Sequence, residues 1–552
     1  MAARGISREP PSSRSFDHSP GLLDALPLLS LLPALVVLLP GQAAAQVAAP
    51  TLPANSPAYT LKTWYSAMGA PLPAKFLAPP IGPEVPASEL DANLFGLLGS
   101  YQPGGPTATA TNAFFQSLGT NGRSCVTCHQ PASGMSVSGL NILARYVESA
   151  GQDPLFAPVD GANCPNAVPA LNTSGSHLGN RLGKGLNFLA AHSLILNRGV
   201  FRIFLPVPAN AQFTIEVVSD PNGCNTDPNY NEVVDPSTGQ ATQIVSVYRR
   251  PLISTNLDFV TTAFTFGPPG PSGNIMWDGR DPDLQTQAIN ATLGHAQALT
   301  APTAVQVAQI VEFETGIFSA QASDFLAGSL TALGATGGPV VLSSAPPGQG
   351  GFATPEVPPN PPVFSEYTAW AGVTGSSPAA ARRESILRGQ TIYNTHLFTI
   401  SNVQGFNDAV GINPFPGGTC GSCHSQIGAG TDFFGGAQHD LGVAGDQPQF
   451  NGPPPAGDLP VFRLTCTSGA APGYQGNVVL TNDPGRALIS GNCSDIGKFT
   501  VPQLRALASH PPYFHDGSAK TLLDVVNFYN KRFNIGLTDQ EKTDLVNFLG
   551  AL

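Results

Sequence analysis

Cys125-Val126-Thr127-Cys128-His129 and Cys420-Gly421-Ser422-Cys423-His424 decide how this 552-residue chain is read. Each is a C-x-x-C-H, the attachment sequence of a covalently bound c-type haem. The chemistry demands this spacing. Two thiols meet the two vinyl groups of one porphyrin, and the adjacent imidazole reaches the iron from the same short helical turn as proximal ligand. Chance is a poor explanation, since composition alone gives about 0.002 such pentads in a chain like this. A thioredoxin-like pair or half a zinc site is the competing reading. A zinc site would need thiolates kept reduced outside the cytosol.

That compartment is read from the first 45 residues. Arg4, Arg8 and Arg14 give a basic start, Ala25 to Leu39 is apolar, and Ala43-Ala44-Ala45 closes the segment. This is the order of a cleaved secretory signal. The apolar run holds Pro27 and Pro33 and is short for a membrane span. The expectation is a periplasmic or secreted protein with no membrane contact after signal cleavage. Removing residues 1–45 takes away equal numbers of basic and acidic side chains, so the net charge stays at −11. An acidic field excludes non-specific nucleic-acid binding and suits a basic redox partner. The remaining cysteines are Cys164, Cys224, Cys466 and Cys493. The simplest pairing is Cys164–Cys224 with Cys466–Cys493, although four cysteines allow three pairings.

The expected architecture is mainly α, with two cytochrome c-like haem lobes and a partly β, loop-rich insertion in the first. An N-terminal lobe spans 46–333, with the insertion at about 131–270. Apolar runs at Val200–Val207, Phe213–Val218 and Ile244–Tyr248 read as strands there. Residues 334–378 are rich in Gly and Pro and read as a connection. A C-terminal lobe spans 379–552. Helices are expected at Thr111–Leu118, Pro302–Phe318, Ala379–Thr395, Leu522–Arg532 and Thr538–Leu549.

The sixth position of each iron decides between electron transfer and catalysis. The methionines are Met1, Met68, Met135 and Met276, and none follows the second motif. The second haem is left with His396, His439, His510, His515 or a tyrosine. Near the first haem the downstream histidines are His177, His192 and His295. The first haem is expected to have an open face.

Three further blocks resemble the bacterial di-haem cytochrome c peroxidase and MauG-like family. They are Trp277-Asp278-Gly279-Arg280 with Leu284 and Gln287; Phe499-Thr500-Val501-Pro502-Gln503-Leu504-Arg505 with Pro512-Tyr513-Phe514-His515-Asp516-Gly517-Ser518; and His439-Asp440-Leu441-Gly442. The resemblance implies two covalently bound haem c groups, the first reactive and the second an electron reservoir. It implies that Trp277 lies between them and relays electrons. The family's sixth ligand to the second haem lies 14 residues after the His515 position and falls on Tyr529. His515 is the second choice.

Two positions depart from the family. Its distal catalytic Glu lies 20 residues after the tryptophan, and here that residue is Gln297. An amide cannot exchange a proton, which leaves His295 as a substitute. Two ligands of the family's calcium fall on Arg249 and His510, so calcium is not expected. The function implied is peroxide reduction at the His129 haem, with electrons from a small redox protein passing through the His424 haem. The alternatives are a di-haem oxygenase of the rubber-oxygenase kind acting with dioxygen, a MauG-like protein oxidant, and a non-catalytic electron carrier.

Overall fold

The computed structural model describes residues 82–168, 188–234, 239–373, 375–474 and 476–552. The targeting segment 1–45, Met68 and His177 lie outside them. The principal elements in chain order are β1 (Ser88–Ala92), β2 (Gly96–Tyr101), α1 (Gly139–Ser149), β3 (Phe201–Pro206), β4 (Phe213–Ser219), β5 (Glu232–Val234), β6 (Ala241–Arg249), α2 (Leu284–Gly294), α3 (Ala304–Gly316), β7 (Phe318–Asp324), β8 (Gly328–Ser329), α4 (Pro378–Thr395), β9 (Val461–Cys466), β10 (Val478–Thr481), α5 (Leu522–Arg532) and α6 (Asp539–Leu549).

The helices start where their sequences allow it. Thr303, Thr521 and Thr538 cap α3, α5 and α6, each in a reciprocal capping box with the residue three places on. Ser377 caps α4, and Pro378 follows at the first helical position, where no amide proton is needed. Helices α4 and α6 cross closely at Gly389, where an added Cβ would lie 2.1 Å from the Asp544 carbonyl oxygen. Phe548 of α6, Ile386 of α4, and Tyr367 and Trp370 from the segment before α4 are fully buried together there.

Helix and strand contents are comparable, which corrects the expectation of a mainly α chain. The strands form because their apolar residues recur at every second position. Phe462, Leu464 and Cys466 of β9 point inward while Val461, Arg463 and Thr465 do not. Three antiparallel sheets run in the orders β8-β7-β2-β1, β3-β6-β5 and β10-β9-β4.

The third sheet joins the two halves of the chain, so two discrete haem lobes are not clearly marked off. Strand β4, from within 131–270, pairs along its length with β9, which follows the second attachment motif; Phe213 faces Cys466 and Val217 faces Phe462. Val245, Val247, Phe462 and Leu464 share one core. Neither β4 nor β9 has a complete apolar face without the other, so the two halves are interleaved. Among the described residues no helix is long and apolar enough to cross a membrane.

Of the three possible cysteine pairings, the structure has Cys164–Cys224 and Cys466–Cys493, with Cα separations of 5.5 and 6.1 Å. Cys125, Cys128, Cys420 and Cys423 remain thiols. The Cys466–Cys493 bond ties the end of β9 to the core it shares with β4. Replacing both cysteines by Ser is expected to cost about 2–4 kcal/mol, read as a lower urea midpoint. An unchanged midpoint would show that the bond adds nothing the sheet does not already provide.

Candidate functional site

The two attachment motifs fold alike. Cys125–Thr127 and Cys420–Ser422 are single 3-10 turns. Three residues per turn eclipses positions i and i+3, so both thiols of each pair lie on one side. The intervening polar residue locks each turn: Ser124 N–H donates to Thr127 Oγ1 at 3.1 Å, and Thr419 N–H donates to Ser422 Oγ at 2.9 Å. Each histidine is then aimed by a backbone carbonyl six residues on. His129 Nδ1 donates to Met135 O at 2.7 Å, and His424 Nδ1 donates to Gly430 O at 2.7 Å. Met135 and Gly430 both adopt left-handed backbone, with φ of 55° and 68°. Donation through Nδ1 leaves the Nε2 lone pair for a metal, the tautomer that a ligating imidazole requires. Burial keeps both imidazoles neutral by lowering their pKa.

The thiols are not those of a redox-active pair. Burial pushes Cys128 up to about 11 and Cys420 up to about 12, and raises Cys125 and Cys423 as well. A nucleophilic Cys-x-x-Cys needs the opposite shift. Among the described residues no group of three His, Cys, Asp or Glu side chains is placed to hold a metal ion.

One cavity of about 300 Å³ reaches both His129 and His424, and its wall is mostly apolar. Several of its polar atoms lack partners. His439 Nδ1, His510 Nε2 and His515 Nε2 are buried without a hydrogen bond. Such atoms cost stability unless something meets them. An apolar space with orphaned ring nitrogens, two oriented imidazoles, one thiol pair in its wall and a second pair on the turn that carries His129 fits two haems. Cys125, Cys128 and His129 would hold one; Cys420, Cys423 and His424 would hold the other.

Trp277 stands in the cavity wall, its indole N–H donating to Arg250 O at 2.7 Å. Its ring is 6.2 Å from His515, which stacks on Phe499 at 3.9 Å. Tyr529 lines the same cavity near Cys420 and Cys423, stacked on Phe533 at 6.3 Å. Burial raises its phenol above the ordinary range. His396, His439 and His510 line the cavity as well, whereas His295, Gln297 and His192 lie elsewhere. His295 Nδ1 bonds Asp160 Oδ2 at 2.6 Å, and Asp160 is itself held by Arg123. His295 faces a small outer pocket, whose wall shares Gln287 with the main cavity. Gln297 is buried in left-handed backbone, outside the wall of either space. His192 spends both ring nitrogens on the carbonyls of Phe188 and Phe156.

One cavity residue escaped the sequence reading. Glu314 of α3 is 6% exposed, shares the cavity wall with His129, and has Oε2 without a partner. Its signal was available. Val307, Ile310, Phe313 and Glu314 fall on one helical face, so a charge interrupts an apolar stripe.

Behind Trp277 lies a buried ion cluster. Arg249 donates to both carboxylate oxygens of Asp483, at 2.6 and 2.8 Å, and to Asp278, which also accepts from Arg280 at 2.9 Å. A guanidinium only donates hydrogen bonds and cannot ligate a cation. The residues at this position therefore do not fit a calcium ion.

No family model matches the chain. Over 142 residues it is 35% identical to the cytochrome-c peroxidase IdrP2 of Denitromonas iodatirespirans, covering 24% of this chain and 36% of that protein. Over 81 residues it is 42% identical to the cytochrome-c peroxidase IdrP1 of the same organism, covering 13% of this chain and 22% of that protein. The chain thus spans little more than a third of the length of the first of these relatives and less than a quarter of the second. A solved MauG-like protein associated with microbial copper homeostasis matches at 25% identity over 31% of this chain and 43% of that one. Its TM-score of 0.18 is too low to carry an argument. The similarity is to redox proteins of the cytochrome-c peroxidase type.

The ion cluster sets a pH dependence. Burial by itself would raise the Asp278 carboxyl, but Arg280 and Arg249 outweigh it and hold the pKa at about 2, below its ordinary 3.8. A carboxyl lowered on folding stabilises the fold above its ordinary pKa, and that contribution is lost as pH falls towards about 2. Arg249→Met leaves Asp278 and Asp483 short of a partner and is expected to cost about 3–5 kcal/mol at neutral pH. Part of that loss should be recovered on acidification, where the wild type only weakens. Urea unfolding at several pH values measures both, and a neutral-pH midpoint equal to that of the wild type would refute the assignment.

Proposed function

We propose that this chain is an exported di-haem c-type oxidoreductase that reduces peroxide at its His129 end with electrons entering through its His424 end. The observation that carries the reading is the single apolar cavity reaching both histidines, with Trp277 in its wall. Bound there, haem iron would supply the electron storage and peroxide chemistry that no side chain offers. The protein supplies placement. His129 and His424 present Nε2 because Met135 and Gly430 take the other ring nitrogen. Trp277 is held by Arg250 O and faces His515, so an oxidisable ring stands in the wall common to both sites. Tyr529 is the sixth ligand we assign to the second site, and His515 is the second choice.

The electron donor would be a small, basic redox protein drawn to an acidic chain. The similarity to cytochrome-c peroxidases supports the reaction class. A second reading, a di-haem oxygenase using dioxygen, is favoured by Gln297, because position 297 brings no carboxylate to the cavity. Oxygen uptake without added peroxide separates the two.

Two results test the proposal. Pyridine haemochrome and intact mass should show two covalent haems per chain, and one normal c-type haem in Cys423→Ala. Two normal haems in that variant would contradict the second site. Peroxide turnover with a reduced cytochrome as donor tests the reaction, and its absence would leave the carrier reading.

Trp277→Phe should slow peroxide turnover while both haems stay attached, because phenylalanine fills most of the volume but is far harder to oxidise. If the indole only packs, the change should appear as about 1–3 kcal/mol of stability with turnover intact. Thermal melting and rapid mixing with peroxide on one sample distinguish the outcomes.

A further inference from the structure

Glu314 is the acid that the cavity holds and the proposed reaction has not used. Its carboxyl group reaches the cavity wall from the buried face of α3 and leaves Oε2 without a hydrogen-bond partner. The packing around it explains why it is unpaired. Helix α2 and the Ala113–Phe115 turn pack on α3, and neither carries a titratable side chain. The Leu257–Val260 turn brings only Asp258, another acid. Cys125 stands near from the attachment turn, and His129 lines the same cavity. Of the buried arginines of the first half, Arg123 and Arg145 pair with Asp160 and Asp153, Arg249 pairs with Asp278 and Asp483, Arg202 donates to Ser246 and Val159 O, and Arg250, in the cavity wall, donates to the carbonyls of Gly199, Val137 and His510. Glu312 on the same helix faces solvent.

We propose that Glu314 is the redox-linked proton site of the His129 end: its carboxylate takes up one proton when that end takes up one electron and releases it on oxidation. The inference rests on the di-haem reading. On reduction, one electron arrives from the reduced donor protein by way of the His424 end, and one proton from solvent forms the Glu314 O–H bond. On oxidation the same bond breaks and the proton returns to solvent. The physical reason is charge. An electron added in a low-dielectric space is stabilised by a proton added beside it. Burial has already pushed this carboxyl up to about 8, so its proton is exchangeable near neutral pH. Gln297 offers no such group, being an amide outside the wall.

The test is a spectroelectrochemical titration of the full holo-protein from about pH 6 to about pH 10, the range that brackets a carboxyl raised this far. Haem content is measured first. The potential of the first haem should fall as pH rises in the wild type. That dependence should be absent in Glu314→Gln, kept in Glu314→Asp, and unaltered at the second haem in both. Two haems with the same pH dependence in Glu314→Gln overturn the Glu314 assignment and leave the di-haem reading standing. Fewer than two haems in the wild type overturn that reading, and the assignment with it. If Glu314→Gln does not fold, redox-difference infrared spectra of the wild type decide. A carboxylic C=O band that grows on reduction supports the assignment, and a spectrum with no such band overturns it.

Discussion

Arg249 sits fully buried between two acids from distant parts of the chain, and much of the architecture depends on that contact. Asp278 adjoins Trp277, and Asp483 follows β10 of the shared sheet. The guanidinium therefore holds the tryptophan segment against the second half of the chain. Taking these charges out of water is costly, so the cluster is weak evidence for stability by itself. Its value lies in geometry. A planar fork with two carboxylates admits few arrangements, and each one places the residues beside Asp278. With Arg280 included, two cations meet two anions, so the cluster itself carries no net charge.

The same economy appears in the attachment turns. A three-residue turn, a hydroxyl lock and a carbonyl six residues on are enough to aim an imidazole, and the chain uses the set twice. The second copy places glycine at the left-handed position, where no Cβ is strained; the first places Met135 there, at some cost. That cost is met by packing, because the Met135 side chain is fully buried in the core formed with α2 and α3. The first histidine has a further partner, Ser254 Oγ at 2.6 Å, and the second has one in the Pro502 backbone.

How much of this could be read beforehand follows from the range of each interaction. The attachment residues were legible because their chemistry is contiguous in sequence. Helices α4, α5 and α6 were legible because cap and apolar period are local signals. Strand β4 was legible as a strand, but its partner was not, since pairing with β9 depends on residues far away in the chain. That missing partner is why a sheet shared between the two halves was not foreseen. His295 is a similar case. Asp160, which draws the imidazole towards an outer pocket, comes from a segment whose path gave no local sign. Glu314 lay between the two cases, visible as a charge on an apolar stripe but meaningful only once that stripe faced a cavity.

The sheet of β10, β9 and β4 also sets an order of events as the chain folds. Val217 and Phe462 lie opposite each other although 245 positions separate them. Contacts so remote close slowly, whereas a three-residue turn forms at once. Each pair of attachment thiols therefore stands exposed on its turn well before β4 and β9 pair. A large planar group can be joined covalently during that interval without prising apart a finished core.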